Sequence, residues 1–153
     1  MQIYRLVKPK YQSSAFDGEG AKKYGGRWNS QGQSMVYASD SIALCALELL
    51  VHLGQSEILN SYMLCRASID DHNLMHLAAQ DLPDNWRADP APLSTAEIGN
   101  EWLQSGASPG LLVPSCIIPE QHNILLNPNH KDFQAMLATV VCTPFEFDGR
   151  LMK

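Results

Sequence analysis

The stretch Met35–Gly54, MVYASDSIALCALELLVHLG, decides the fold, because it reads as a strand running straight into a helix. Ser34 to Ala38 has strand character, and Ser39 or Asp40 stands where a side chain caps the free amides of a helix start. The helix then runs from about Ser41 to Leu53, with Gly54 ending its last turn. It is apolar nearly all the way round, so it is buried on most faces, yet Glu48 sits in its middle and His52 one turn later.

A lone carboxylate in a dry interior costs several kcal/mol, so Glu48 is paired, protonated or facing a cleft. Leu44, Glu48 and His52 fall on one helical stripe, so a cleft there would hold both polar groups. The alternative is a structural glutamate paired with an arginine.

Outward from this unit, strand character returns at Ile3–Val7, Tyr62–Ile69, Leu111–Ile118, Asn123–Leu126 and Phe145–Leu151. A second helix is expected from Ser94, where STAE fits a capping box, through Ile98, Trp102 and Leu103. Few helical patterns separate the strands, which argues against a regular βαβ alternation and for an α+β fold in which strands dominate. No repeat or composition break divides the 153 residues, so one domain is expected over the whole chain, with ADPAPLS, Ala88–Ser94, as a surface excursion.

The formal net charge is −5 and no run of Lys or Arg occurs, so the footprint of a direct nucleic-acid binder is missing. No apolar window approaches about 18 residues, and MQIYRLVKPK enters a strand pattern without a leader-like apolar region; a cytoplasmic protein with no membrane contact is expected. The cysteines at 45, 65, 116 and 142 lie apart in apolar runs, and the expectation is buried free thiols. Neither they nor the histidines have metal-ligand spacing, and no metal is expected.

Arg27 lies in GGRWN, Gly25–Asn29, where two glycines and an asparagine let the backbone bend tightly and a ligand approach. A guanidinium on such a turn suits a phosphate or carboxylate, although the pattern alone favours a surface hairpin with an incidental arginine. Arg5, among apolar neighbours in the first strand, either faces a polar cleft or is the partner of Glu48. Tyr37 either packs as a half-buried strand residue or stacks on a planar heterocycle near the mouth of that cleft. Ser115 follows Pro114, which places this strand at an edge or makes a bulge at Ser115. Without a GxSxG elbow, a serine hydrolase is not indicated. Asn127 in HNILLNPNH caps a turn or meets a ligand, with the turn favoured.

Taken in order, YR at Tyr4 and Arg5, then GGRWNSQG, VYAS, ALELLVH, LPDNW, GNEWL, VPS and NPNH resemble the RES domain, named for arginine, glutamate and serine. The resemblance runs from Ile3 to about Leu151, while Gln55–Gln80 matches no motif. It implies an ADP-ribosyltransferase-like mixed-sheet fold and the toxin of a two-gene toxin–antitoxin system. It further implies breakage of the nicotinamide–ribosyl bond of NAD⁺ by hydrolysis or phosphorolysis, or transfer of ADP-ribose to a protein. NAD⁺ is then a substrate, with phosphate as a possible acceptor, and no bound cofactor is implied. The implied partner is a helix-turn-helix antitoxin of the Xre/Cro type, held in a hetero-oligomer. Carried over by residue, the resemblance makes Glu48, Arg27 and Ser115 catalytic and Arg5, Arg27, Tyr37 and Ser115 the NAD⁺ contacts. The remaining alternative is an inactive interaction module in which Arg5 and Glu48 form a buried ion pair.

Overall fold

A computed structural model describes all residues, Met1–Lys153. Seven strands form one mixed sheet: β1 (Gln2–Val7), β2 (Val36–Ser39), β3 (Tyr62–Ser68), β4 (Leu74–His76), β5 (Gly110–Pro114), β6 (His122–Leu126) and β7 (Val141–Phe145). Their spatial order is β4-β5-β6-β2-β1-β3-β7, and every neighbouring pair is antiparallel except β4 with β5. Five α-helices accompany them: α1 (Glu19–Tyr24), α2 (Ile42–Leu50), α3 (Gln55–Ile58), α4 (Leu93–Ser105) and α5 (Phe133–Leu137).

Because side chains alternate across a strand, the register sorts the sheet into two faces. Ile3, Val36, Ala38, Cys65, Ile124 and Leu126 point to one, where Phe16, Phe133 and Met136 cover them. The other face is divided. Leu6, Tyr62 and Leu64 pack beneath α2, while Leu111, Val113 and Leu125 pack with Trp28, Met35 and Trp102, the last carried by α4. Tyr37, Ser39 and Asn123 share this divided face: Ser39 pairs with Tyr4 and Asn123, and Tyr37 with Leu125. The polar residues therefore sit between two apolar clusters.

The cap of α2 is Ser41, whose Oγ accepts the Leu44 amide at 3.1 Å; neither Ser39 nor Asp40 does this. Ser39 is the last residue of β2, and Asp40 accepts the His122 amide at 3.1 Å. The helix stops at Leu50, and Gly54 is the N-cap of α3 with an ordinary φ of −72°. The second long helix begins at Leu93 with no capping box. Ser94 bonds Asn85 and Thr95 turns inward instead.

Strand β5 ends at Pro114 and lies between β4 and β6, so proline closes this strand rather than marking an edge or a bulge. The last strand is Val141–Phe145; the expected Phe145–Leu151 begins where it ends and runs into a 3-10 turn. Strand β4, Leu74–His76, falls in the stretch without a motif.

The cysteines also divide. Cys65 and Cys142 stand directly opposite on β3 and β7 and are joined as a disulfide, because the register brings their Cα atoms to 4.0 Å. Cys45 and Cys116 are free. The Cys45 thiol, on the buried side of α2, is pushed up to about 11 by desolvation and is correspondingly inert. No helix is long and apolar enough to cross a membrane.

Candidate active site

Glu48 projects from α2 to the polar residues between the two apolar clusters, where the carboxylate is held through one oxygen. Oε1 accepts from Ser115 Oγ at 2.8 Å and from Asn123 Nδ2 at 2.5 Å. Each donor is itself fixed. Ser39 Oγ donates to Asn123 Oδ1 at 2.8 Å, which orients the amide, and the Ile117 and Ile118 amides donate to Ser115 Oγ at 3.0 and 3.1 Å. Ser115 is fully buried, just past the end of β5, so its hydroxyl is aimed by a strand terminus. Oε2 has no hydrogen-bonding partner and is not sealed from solvent.

His52, expected on the same stripe, lies beyond the end of α2 and is exposed. The premature helix end removes the spacing on which that expectation rested.

Arg27 sits on a turn closed by an antiparallel bridge between Gly26 and Asn29. Gly25 adopts φ +72°, a conformation costly for residues with a Cβ. Gly26 serves close approach: a Cβ there would meet the Tyr37 hydroxyl at 2.6 Å. The tight turn expected of GGRWN is present, and the guanidinium it carries has a defined anchor. Arg27 Nη1 donates to the carbonyls of Trp86 and Ala88 at 2.8 and 2.9 Å, and no carboxylate is paired with it.

Tyr37 ties the turn to the sheet. Its hydroxyl donates to Asn29 Oδ1 at 2.7 Å and accepts the Trp28 amide at 3.0 Å. Burial pushes this hydroxyl above its ordinary value; the Trp28 amide and the nearby Arg27 charge offset part of that shift, so the group stays protonated through neutral pH. Tyr37→Phe leaves the Trp28 amide and the Asn29 amide oxygen each without this partner, and we expect a loss of about 1–3 kcal/mol in denaturant unfolding.

Arg5 takes a different place. It leaves β1 on the side of Ile3, its guanidinium stands 5.9 Å from the Phe16 ring centre, and Nη1 donates to the Tyr37 carbonyl. Nε is buried without a partner, and burial lowers the guanidinium below its ordinary value. No Arg5–Glu48 ion pair forms, which corrects the reading of the two as structural partners.

The structure thus gathers Glu48 with Ser115, and Arg27 with Tyr37, on one face. Cys116 stands between the pairs: its thiol contacts the Trp86 carbonyl at 3.8 Å, and burial raises it while Arg27 and Glu48 act on it in opposite directions. The sequence does not place Asn123, Ser39 or Asn29 in the site: Ser39 reads only as a helix cap and Asn29 only as a turn residue. The signal for Asn123 was present, a polar residue within a strand whose next three positions are fully buried. Asn127 caps its turn as expected, accepting the Asn129 amide at 3.0 Å. Cavities of about 370 Å³ beside His130 and about 440 Å³ beside Cys142 share no lining residue with this cluster.

The model of the RES domain matches residues 2–148. The chain belongs to the RES domain family. Among its relatives, a protein of Yersinia enterocolitica named Toxin Res is 48% identical over 151 residues, covering 99% of both chains. A protein of Sphingobium sp. named Prs ADP-ribosylating toxin is 37% identical over 147 residues, 94% of this chain and 90% of that one. Among solved structures, a chain of the M. tuberculosis MbcT–MbcA toxin–antitoxin complex superposes with a TM-score of 0.74 at 17% identity, covering 99% of this RES domain and 86% of that chain. At that identity the likeness is one of fold, and it bears out the α+β mixed-sheet expectation.

Proposed function

We propose that this RES protein is the toxin of a toxin–antitoxin pair and that it breaks the nicotinamide–ribosyl bond of NAD⁺. The observation that carries the reading is the Glu48 carboxylate, held by Ser115 and Asn123 through one oxygen with the other left open, on the same face as an arginine that has no acid partner. The names of the relatives, Toxin Res and Prs ADP-ribosylating toxin, supply the class of activity.

The chemistry suits a single carboxylate. Nicotinamide in NAD⁺ is already cationic, so the C1′–N bond breaks with its electron pair leaving on nitrogen, and neutral nicotinamide departs without a general acid. The ribosyl carbon becomes oxocarbenium-like, and a preorganised negative charge beside it lowers the barrier. In this reading Glu48 Oε2 faces the cation or the ribose 2′-hydroxyl. Water or phosphate then forms the new bond at C1′, its proton passing to Glu48 or to solvent.

Arg27 holds the pyrophosphate through the donors that Trp86 and Ala88 leave unused. Tyr37 flanks the nicotinamide ring. Ser115 acts by orienting Glu48 and does not attack. Arg5 braces β1 against the Tyr37 carbonyl and contacts NAD⁺ only indirectly.

The test is product analysis with protein freed of any partner. Wild-type protein should release nicotinamide, giving ADP-ribose alone and an ADP-ribose phosphate ester when phosphate is present. Intact NAD⁺ under both conditions sinks the reading. The relative named for ADP-ribosylation favours a second acceptor, a protein side chain, which would appear as added ADP-ribose mass on a macromolecule in a treated lysate.

An antitoxin partner, of the helix-turn-helix Xre/Cro type, belongs to the same proposal. It is supported by the solved neighbour, a chain of a toxin–antitoxin complex, and by apolar surface beside Glu48: Leu47 and Val51, one helical turn apart, are 37% and 60% exposed. The hetero-oligomer would form in the cytoplasm, where NAD⁺ is consumed.

A further inference from the structure

Helix α4 contributes nothing to the cluster around Glu48, yet it grips the Arg27 turn through three of its residues. Thr95, fully buried in its first turn, donates from Oγ1 to the Arg27 carbonyl at 2.7 Å while also reaching the Pro92 carbonyl at 3.0 Å. One turn later Gly99 lies so close to the turn that a Cβ would stand 1.7 Å from the Trp28 carbonyl oxygen. Asn100 then accepts the Ser30 amide at 3.0 Å and donates to Ser30 Oγ at 2.8 Å. A helix that needed only apolar packing would not require a bare backbone at the contact and a polar group on either side of it.

The grip closes from the far end as well. The guanidinium of Arg27 is bonded to Trp86 and Ala88, in the segment leading into α4, and the same segment reaches the Glu48 side through Arg87 Nε, which donates to the Cys116 carbonyl at 3.1 Å. Backbone and side chain of Arg27 are therefore fixed separately, the first by α4 and the second by the segment before it.

We propose that Thr95 is a positioning residue for Arg27, and that Gly99 exists to let the Trp28 carbonyl seat against α4. This rests on the reading of Arg27 as the pyrophosphate contact. Thr95 touches no substrate; its hydroxyl sets where the guanidinium starts from.

Gly99→Ala displaces backbone against backbone, so the decisive variant is Thr95→Val, which keeps the shape and removes the hydroxyl, with Thr95→Ser as the rescue. The expected result is a rise in KM for NAD⁺ of about tenfold with kcat changed less than about threefold, restored by Thr95→Ser. In the Arg27→Ala background, Thr95→Val should add almost nothing, because both act through one group. An equal fall in kcat/KM in both backgrounds overturns the proposal.

A readout independent of turnover separates this from a failure of the NAD⁺ reading. Deuterium exchange at the amides of residues 28–30 should quicken in Thr95→Val and not in Thr95→Ser. Unchanged exchange in Thr95→Val overturns the positioning role, whether or not wild-type protein consumes NAD⁺.

Discussion

Glu48→Gln leaves the protein folded and slows nicotinamide release by about 100- to 1,000-fold, the range expected when one preorganised electrostatic group is lost from a water-poor site. The substitution is close to isosteric. The amide oxygen still accepts from Ser115 and Asn123, so the network of Ser39, Asn123 and Ser115 keeps its geometry. What disappears is the negative charge on the open side. Because that charge matters most when the ribosyl carbon turns cationic, kcat should fall with kcat/KM while KM changes little. Thermal unfolding of the two proteins should agree within a few degrees. A large loss of stability would instead assign Glu48 a structural part, the role once available to it as a partner of Arg5.

Arg27→Ala acts on binding. A hydrogen bond to a charged group contributes about 1.5–3 kcal/mol, so KM for NAD⁺ should rise roughly 10- to 100-fold, with the smaller change in kcat. Arg27→Lys should recover only part of this, since a point charge replaces a planar fork. Arg5→Ala is the informative contrast. Its guanidinium braces the Tyr37 carbonyl and packs near Phe16, so this variant should lose stability first and affinity only as a consequence. Isothermal binding of an uncleavable NAD⁺ analogue, measured beside denaturant unfolding, separates the two arginines.

How much of this was legible in the sequence depends on the range of the interaction. Glu48 could be singled out because a carboxylate in an apolar helix is a local contradiction, and GGRWN because glycines beside an arginine have a local meaning. The sequence does not show that Ser115 is the partner of Glu48. That pairing arises because the ends of β5 and β6 bring Ser115 and Asn123 to α2, contacts spanning 67 and 75 residues of chain.

The same distance hid the disulfide. Cys65 and Cys142 are 77 residues apart, and nothing in either neighbourhood shows that β7 is the partner of β3. Caps failed for a different reason. Ser39, Asp40 and Ser41 are chemically equivalent candidates, and Ser41 caps because β2 already uses Ser39 to hold Asn123 and the β6 end uses Asp40. Thr95 reads as part of a capping box in STAE, but the nearest acceptor in space is the carbonyl of Arg27.

The account stands on one measurement: nicotinamide released from NAD⁺ by partner-free protein, wild type against Glu48→Gln at equal folded concentration. It predicts rapid release by the wild type and a rate at least about 100-fold lower for the variant. Equal release by both proteins, or none by either, contradicts it.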